Sequence, residues 1–433
     1  MKFVLSSEVW GLAWPMMLSN ISIPLLGMVD IAVVGHLPRP GDIATVALGT
    51  MVFDVLFWCF GFLRMSTTAL AAQNPDSNQI YFQSSSIAIV IALLLICFSA
   101  LIKHCILLFI HTDVSVEKML ASYFDIRIFS AIPTLINYVN YGFFFGRHNT
   151  RTPLALLLIT NVSAMVLDYI LVWHFDLGAD GIALANLITQ SIGASLGIWL
   201  IYKRYLKQSM PMKHQPLFSL QRTKQLFSLN TDIFIRTLFL VLTTSFFTRQ
   251  SAYLGVEIVA ANMILMNLQL LTSFALDGFA IAAEALVGRA VGKKDKQDFC
   301  TQVKSCAQWS GIFGLIFMVG YYMFGPLLVS LMTSLTDVKF IAMKSLPWVV
   351  ILPLISVPGF LLDGVFIGAA YSKPLRNSIL FSSLIVFFPV WYVSQPLANQ
   401  GLWLAYTCFI AARGVYLSIV LITKNKMLLQ NLP

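Results

Sequence analysis

Tyr141-Gly142-Phe143-Phe144-Phe145-Gly146 recurs in outline 222 residues further on as Asp363-Gly364-Val365-Phe366-Ile367-Gly368. Both glycines and the aromatic at Phe144 and Phe366 keep their places. Glycines four apart share one helix face and let a neighbouring helix approach closely. A second pair sets Gly181-Ile182-Ala183-Leu184-Ala185 against Gly401-Leu402-Trp403-Leu404-Ala405, at an offset of 220. Weaker matches align Val46-Ala47 with Val259-Ala260 and Ala69-Leu70 with Ala285-Leu286, at offsets of 213 and 216. All four offsets lie near half of the 433 residues, as an internal duplication requires. The alternative is that small residues recur along apolar helices for packing alone.

Around these anchors the chain is 58% hydrophobic and only 11% charged. Soluble domains carry about a quarter charged residues. With a mean hydropathy of +0.80, this composition excludes a water-soluble enzyme and a small domain with a single anchor. Apolar stretches between polar breaks predict twelve membrane helices, near 9–36, 44–73, 80–110, 118–146, 153–174, 181–205, 223–254, 257–289, 303–332, 340–370, 375–394 and 400–423. The expected fold is thus an all-α integral membrane protein. A repeat of six spans keeps its orientation, so the two halves would be related by a pseudo-twofold axis along the membrane normal, with a cleft between them. The expected division is an N-terminal lobe at 1–205, a linker at 206–222 and a C-terminal lobe at 223–433.

The net charge of +9 reflects loops, not a nucleic-acid surface, because the basic residues form no single stripe or tail. Lys203, Arg204, Lys207, Lys213, Arg222 and Lys224 surround the central linker, and Arg289, Lys293, Lys294 and Lys296 follow the eighth span. Lys2, Arg147, Arg151, Lys373, Arg376, Lys424 and Lys426 join them, making 17 on one face against Arg39, Lys118, Lys339 and Lys344 on the other. This bias places both termini in the cytoplasm. Met1 is expected to start the mature protein, since no cleavage signature precedes Trp14 and Pro15. The six cysteines form no CxxC pair and read as buried thiols.

Ionisable groups at membrane depth are costly and mark function unless paired. The first half carries Asp30, Asp54, Arg64, Asp125, Arg127 and Asp168. Asp30 follows Pro24 and Gly27, where a missing backbone donor can bend the helix, and is a candidate proton site. Asp168 divides between coupling and structure, while Asp125 and Arg127 fit the membrane interface. The second half carries Asp232, Arg236, Arg249, Asp277, Glu284, Asp363 and Arg413. Asp232 and Arg236, four apart, are expected to pair with each other. Asp277 and Glu284 stand two turns apart on one helix face and, with Asp363, either face the cleft or satisfy arginines. No zinc, nucleophile-elbow, Walker or dinucleotide motif is present, which argues against an enzyme. Asp277 with Asp363 is the only pair an embedded protease or transferase could use.

Three stretches resemble the multidrug and toxic compound extrusion (MATE) family, in its DinF branch. They are Phe62-Leu63-Arg64-Met65-Ser66-Thr67-Thr68, Leu276-Asp277-Gly278-Phe279-Ala280 and Leu362-Asp363-Gly364-Val365-Phe366-Ile367-Gly368-Ala369. The resemblance implies two six-helix lobes in a V, alternating access, and export of amphipathic, often cationic compounds from the bacterial cytoplasmic membrane. It implies ion coupling at Asp30, with Asn161 and Asp168 in its network. Family members with a sodium site in this lobe commonly carry Asn four residues before the fifth-span Asp, where this chain has Ala164. Loss of that oxygen favours the proton over sodium as the coupling ion.

Candidates for an adaptable substrate cavity are Met28, Arg64, Met65, Asn137, Tyr138, Phe144, Met263, Met266 and Phe279, although such residues also serve in ordinary packing. No cofactor or metal is expected beyond the ion gradient. The expected partners are the substrate and the bilayer, with the protein acting as a monomer. Sodium-coupled efflux is one alternative. A lipid-linked precursor flippase is the other, kept open by Arg64, Arg236, Arg249 and Arg413.

Overall fold

The computed structural model describes residues 6–34, 40–74, 78–109, 114–207 and 220–430, with the side chains of 21–32, 34, 40, 109, 114, 220–227 and 424–430 outside that description. It is helical throughout these residues. Eleven helices are long and apolar enough to cross a membrane. With α1 (Ser7–Val34), whose only charged residues are Glu8 and Asp30, they make the expected twelve. They are α2 (Gly41–Gln73), α3 (Gln79–Cys97), α4 (Ser115–Gly146), α5 (Arg151–His174), α6 (Gly178–Leu206), α7 (Ser228–Leu254), α8 (Val256–Gly292), α9 (Lys296–Met332), α10 (Thr336–Gly368), α11 (Lys373–Leu397) and α12 (Asn399–Thr423). After α3 the chain turns at Phe98 and continues as the helix Ser99–Phe109. α10 holds Pro347, Pro353 and Pro358 inside its length, which packed membrane helices tolerate because neighbours satisfy the freed backbone groups.

The chain packs as two compact units, Leu18–Leu226 in one, and Met1–Met17 with Phe227–Pro433 in the other. The start of α1 is therefore fastened to the C-terminal half, whereas the loops alone suggest grouping it with the rest of 1–205. Arg289 holds Glu8 through both carboxylate oxygens, at 2.5 and 3.1 Å. The Ser6 amide donates to Ser305 Oγ at 3.0 Å, and Trp309 Nε1 donates to the Ser6 carbonyl at 3.2 Å. Trp10 stacks on Trp309 with ring centroids 5.3 Å apart.

The repeated glycines do equivalent work in each unit. In the first, α4 lies so close to α2 that a Cβ on Gly142 would strike the Arg64 carbonyl, and one on Gly146 would come within 2.8 Å of the Thr68 carbonyl. In the second, α10 meets α8 the same way: Gly364 rests on the Ala280 carbonyl and Gly368 on that of Glu284. Arg64 and Ala280, like Thr68 and Glu284, are 216 apart, the offset read from Ala69-Leu70. The duplication is thus visible as the same helix pair built twice.

The expectation of buried cysteines needs correction. Cys306 is buried, but Cys97, Cys105 and Cys300 are exposed, all as free thiols. An apolar stretch in a membrane helix can face lipid as readily as core, so apolar surroundings in sequence do not imply burial.

Candidate functional site

In the first unit the polar residues of α4, α5 and α6 converge. Thr160, Asn161, Ala164 and Asp168 form one buried stripe along α5, at the spacing of a single helix face. Asp168 is fully buried, and Ala164, between it and Asn161, is 1% exposed. Two residues after Asp168 the helix widens into a π segment, Ile170–His174, a distortion frequent at functional sites. Across from this stripe, Asn137 Nδ2 donates to the Gln190 side chain at 2.9 Å and to its carbonyl at 3.1 Å. Asn140 donates to the Ala194 carbonyl at 3.3 Å and accepts from the Tyr81 hydroxyl at 2.8 Å. Tyr141 lies beside Thr160, whose hydroxyl donates to the Leu157 carbonyl at 2.9 Å.

Two glycines make this layer possible. A Cβ on Gly193 would sit 2.5 Å from Thr160 Cγ2, and one on Gly197 would collide with the Asn140 amide. The four-residue spacing of Gly193 and Gly197 was a readable signal for this close approach, and the sequence reading passed over it together with Gln190.

The other candidates of this unit scatter. Arg64 is half-buried with its guanidinium 5.8 Å from the Phe145 ring. Tyr138, also half-buried, lies within electrostatic reach of Arg64 and Asp54. Met65 is half-buried, whereas Phe144 is a core residue, edge-on to Tyr205 at 6.2 Å. Arg127 is 8% exposed. It donates to Tyr123, one turn before it, and lies over the Phe53 ring at 5.4 Å. Asp30 and Met28 lie on α1, and their side chains are outside the described residues.

The second unit centres on a charge cluster. Asp363 Oδ2 accepts from Arg236 on α7 and from Arg413 on α12, both pairs being largely buried. The expected Asp232–Arg236 pair does not form. Asp232 instead takes Arg376 at 2.8 Å and Ser372 Oγ at 2.7 Å, while Arg236 reaches across the bundle to Asp363. Asp277 acts electrostatically on Arg413 and is half-buried, while Glu284 is buried where Gly368 meets α8. Met263 is 58% exposed. Met266 packs against the core cluster of this unit, and Phe279 is buried against Phe313 at 5.1 Å.

Laying one unit on the other exposes an asymmetry. At the 222 offset, Tyr141 corresponds to Asp363, Asn161 to Ser383 and Asp168 to Val390. At the 220 offset, Gly193 corresponds to Arg413. The same layer is therefore an amide and hydroxyl network in one half and an ion cluster in the other, and the buried acid of α5 has no counterpart.

The MatE family model matches residues 15–170 and 233–393, one segment in each half. The chain belongs to the MatE family. Members of this family are transporters, not enzymes, and this MatE protein is a multi-pass membrane protein. It is 36% identical over 431 residues to DNA damage-inducible protein F of Escherichia coli strain K12, covering 97% of this chain and 93% of that one. Against the probable multidrug resistance protein NorM of Thermotoga maritima the identity is 23% over 403 residues, covering 90% and 84%. The crystal structure of the Vibrio cholerae MATE transporter VcmN in the bent form matches with a TM-score of 0.85 at 20% identity, covering 98% of each chain. At that identity the solved structure shows the shared MatE fold alone.

Proposed function

We propose that this MatE protein is a proton-coupled antiporter of the bacterial cytoplasmic membrane, with both termini cytoplasmic, that exports amphipathic and often cationic compounds. The observation that carries the reading is the α5 stripe: Asp168 fully buried, Asn161 two turns earlier, and Ala164 between them. A sodium ion needs several oxygen donors, and the middle position supplies a methyl group. A proton needs one carboxylate. Asp30 is the proton-binding group in this reading, with Asn161 and Asp168 stabilising its two protonation states. Protonation from outside lowers the cavity's affinity for a cation, and release toward the cytoplasm restores it.

The C-terminal acid Asp363 is a poor proton carrier, because protonating it would leave two guanidiniums uncompensated in a buried site. The same engagement weakens the flippase alternative, since Arg236 and Arg413 are already committed to a carboxylate. The test is efflux of a fluorescent cation from proteoliposomes under a pH gradient or a sodium gradient, for the parent, Asp30→Asn and Asp168→Asn. Transport driven by the pH gradient and abolished in Asp30→Asn is expected. Transport driven by sodium alone would overturn the proposal.

A further inference from the structure

Asp54 lies 13 residues into the 33-residue helix α2, about 20 Å along it at 1.5 Å per residue, and so at membrane depth. It is exposed. It makes no hydrogen bond or ion pair among the described residues, and Arg127 and Tyr138 reach it only at electrostatic range. Arg127 cannot neutralise it by contact, being enclosed by Tyr123 and Phe53. A carboxylate facing lipid at this depth is costly, so its exposed face turns toward water.

The neighbours on that face are specific. Ala47, Met51, Val55 and Trp58 share it, at helical spacing from Asp54, while Val46, Phe53 and Phe57 on the opposite side are buried. Phe53 packs against Phe124 at 5.2 Å, which fixes the rotation of α2. Trp58 stands one turn from Asp54, 47% exposed, and Met51 about one turn on the other side. A carboxylate flanked by an indole and a thioether satisfies the two needs of a lipophilic cation: charge neutralisation, and a polarisable surface for its apolar body.

We infer that the Met51, Asp54, Trp58 face of α2 is a binding site for lipophilic organic cations, with Asp54 taking the charge. The inference rests on the proposed cation export and names where in the N-terminal unit the cation is held. It does not involve the coupling stripe of α5.

The experiment measures equilibrium binding of tetraphenylphosphonium to the purified full chain in nanodiscs at fixed pH, for the parent, Asp54→Asn, Asp54→Glu and Trp58→Leu, with an uncharged tetraphenyl analogue as control. Asp54→Asn is expected to weaken cation binding about tenfold, the effect of losing about 1.4 kcal/mol, while binding of the uncharged analogue is unchanged. Asp54→Glu is expected to retain binding, and Trp58→Leu to weaken both ligands. Unchanged tetraphenylphosphonium affinity in Asp54→Asn would overturn the inference while leaving parental, gradient-driven efflux intact. A parent that neither binds nor moves any cation would overturn the export reading and this site with it. Because Asp54 is exposed, thermal unfolding of the variants is expected to match the parent. Equal loss of both ligands in Asp54→Asn would point to a collapsed site and count against a charge-specific role.

Discussion

Removing the Asp363 carboxylate leaves Arg236 and Arg413 facing each other without their shared acceptor. Breaking a buried pair from one side costs about 3–5 kcal/mol, so Asp363→Asn is expected to lower the unfolding temperature of the detergent-solubilised protein markedly. Partial recovery of the unfolding temperature by Arg413→Leu in the Asp363→Asn background, with Arg236 still lacking its acceptor, would confirm that uncompensated charge causes the loss. This cluster was only partly legible in sequence. Asp363 and both arginines stand out as ions in apolar helices, but the i, i+4 rule paired Arg236 with Asp232. Local spacing says which groups can meet on one helix, whereas the partner was settled across three helices, by packing that no short stretch encodes. The contact of Arg127 is equally non-local: it lies over Phe53, on another helix.

At the scale of elements, the glycine faces of α4 and α10 are where sequence and structure agree most directly, because a missing Cβ is a backbone fact that survives any side-chain rearrangement. Gly364→Leu is expected to push α10 off α8 and abolish folded expression, judged by a monodisperse size-exclusion peak. Gly320 has nothing within 4 Å of its would-be Cβ. Gly320→Ala is expected to be neutral or to raise stability by up to about 1 kcal/mol through helix propensity. Equal damage from both changes would mean that helix contact is not what the repeated glycines provide. By contrast, the π segments at Ile170–His174, Tyr202–Leu206 and Phe381–Phe387 left no mark in the sequence. They arise from inserting a residue into a helix already held by its neighbours, and composition does not register that.

At the scale of the whole molecule, hydropathy sufficed to count the spans, because every backbone group in a bilayer must be paired within its own helix. It could not assign the first residues of α1 to a unit, since Glu8 and Trp10 find Arg289 and Trp309 nearly 300 residues away. Glu8→Arg is expected to reduce gradient-driven efflux severalfold and to be rescued by adding Arg289→Glu, measured as dye efflux at matched protein levels. Failure of the swap would assign the anchoring to the Trp10–Trp309 stack instead.

Residues up to Met17 pack with the C-terminal unit and those from Leu18 onward with the N-terminal one, so α1 is a single helix shared between two bodies. Asp30 lies 13 residues past Met17, about 20 Å along the axis, so a bend of roughly ten degrees near Met17 would carry its backbone sideways by about 3 Å. A displacement of that size is comparable to one hydrogen-bond length. Slight angular play near Met17 is thereby amplified along α1 into a backbone step of that size.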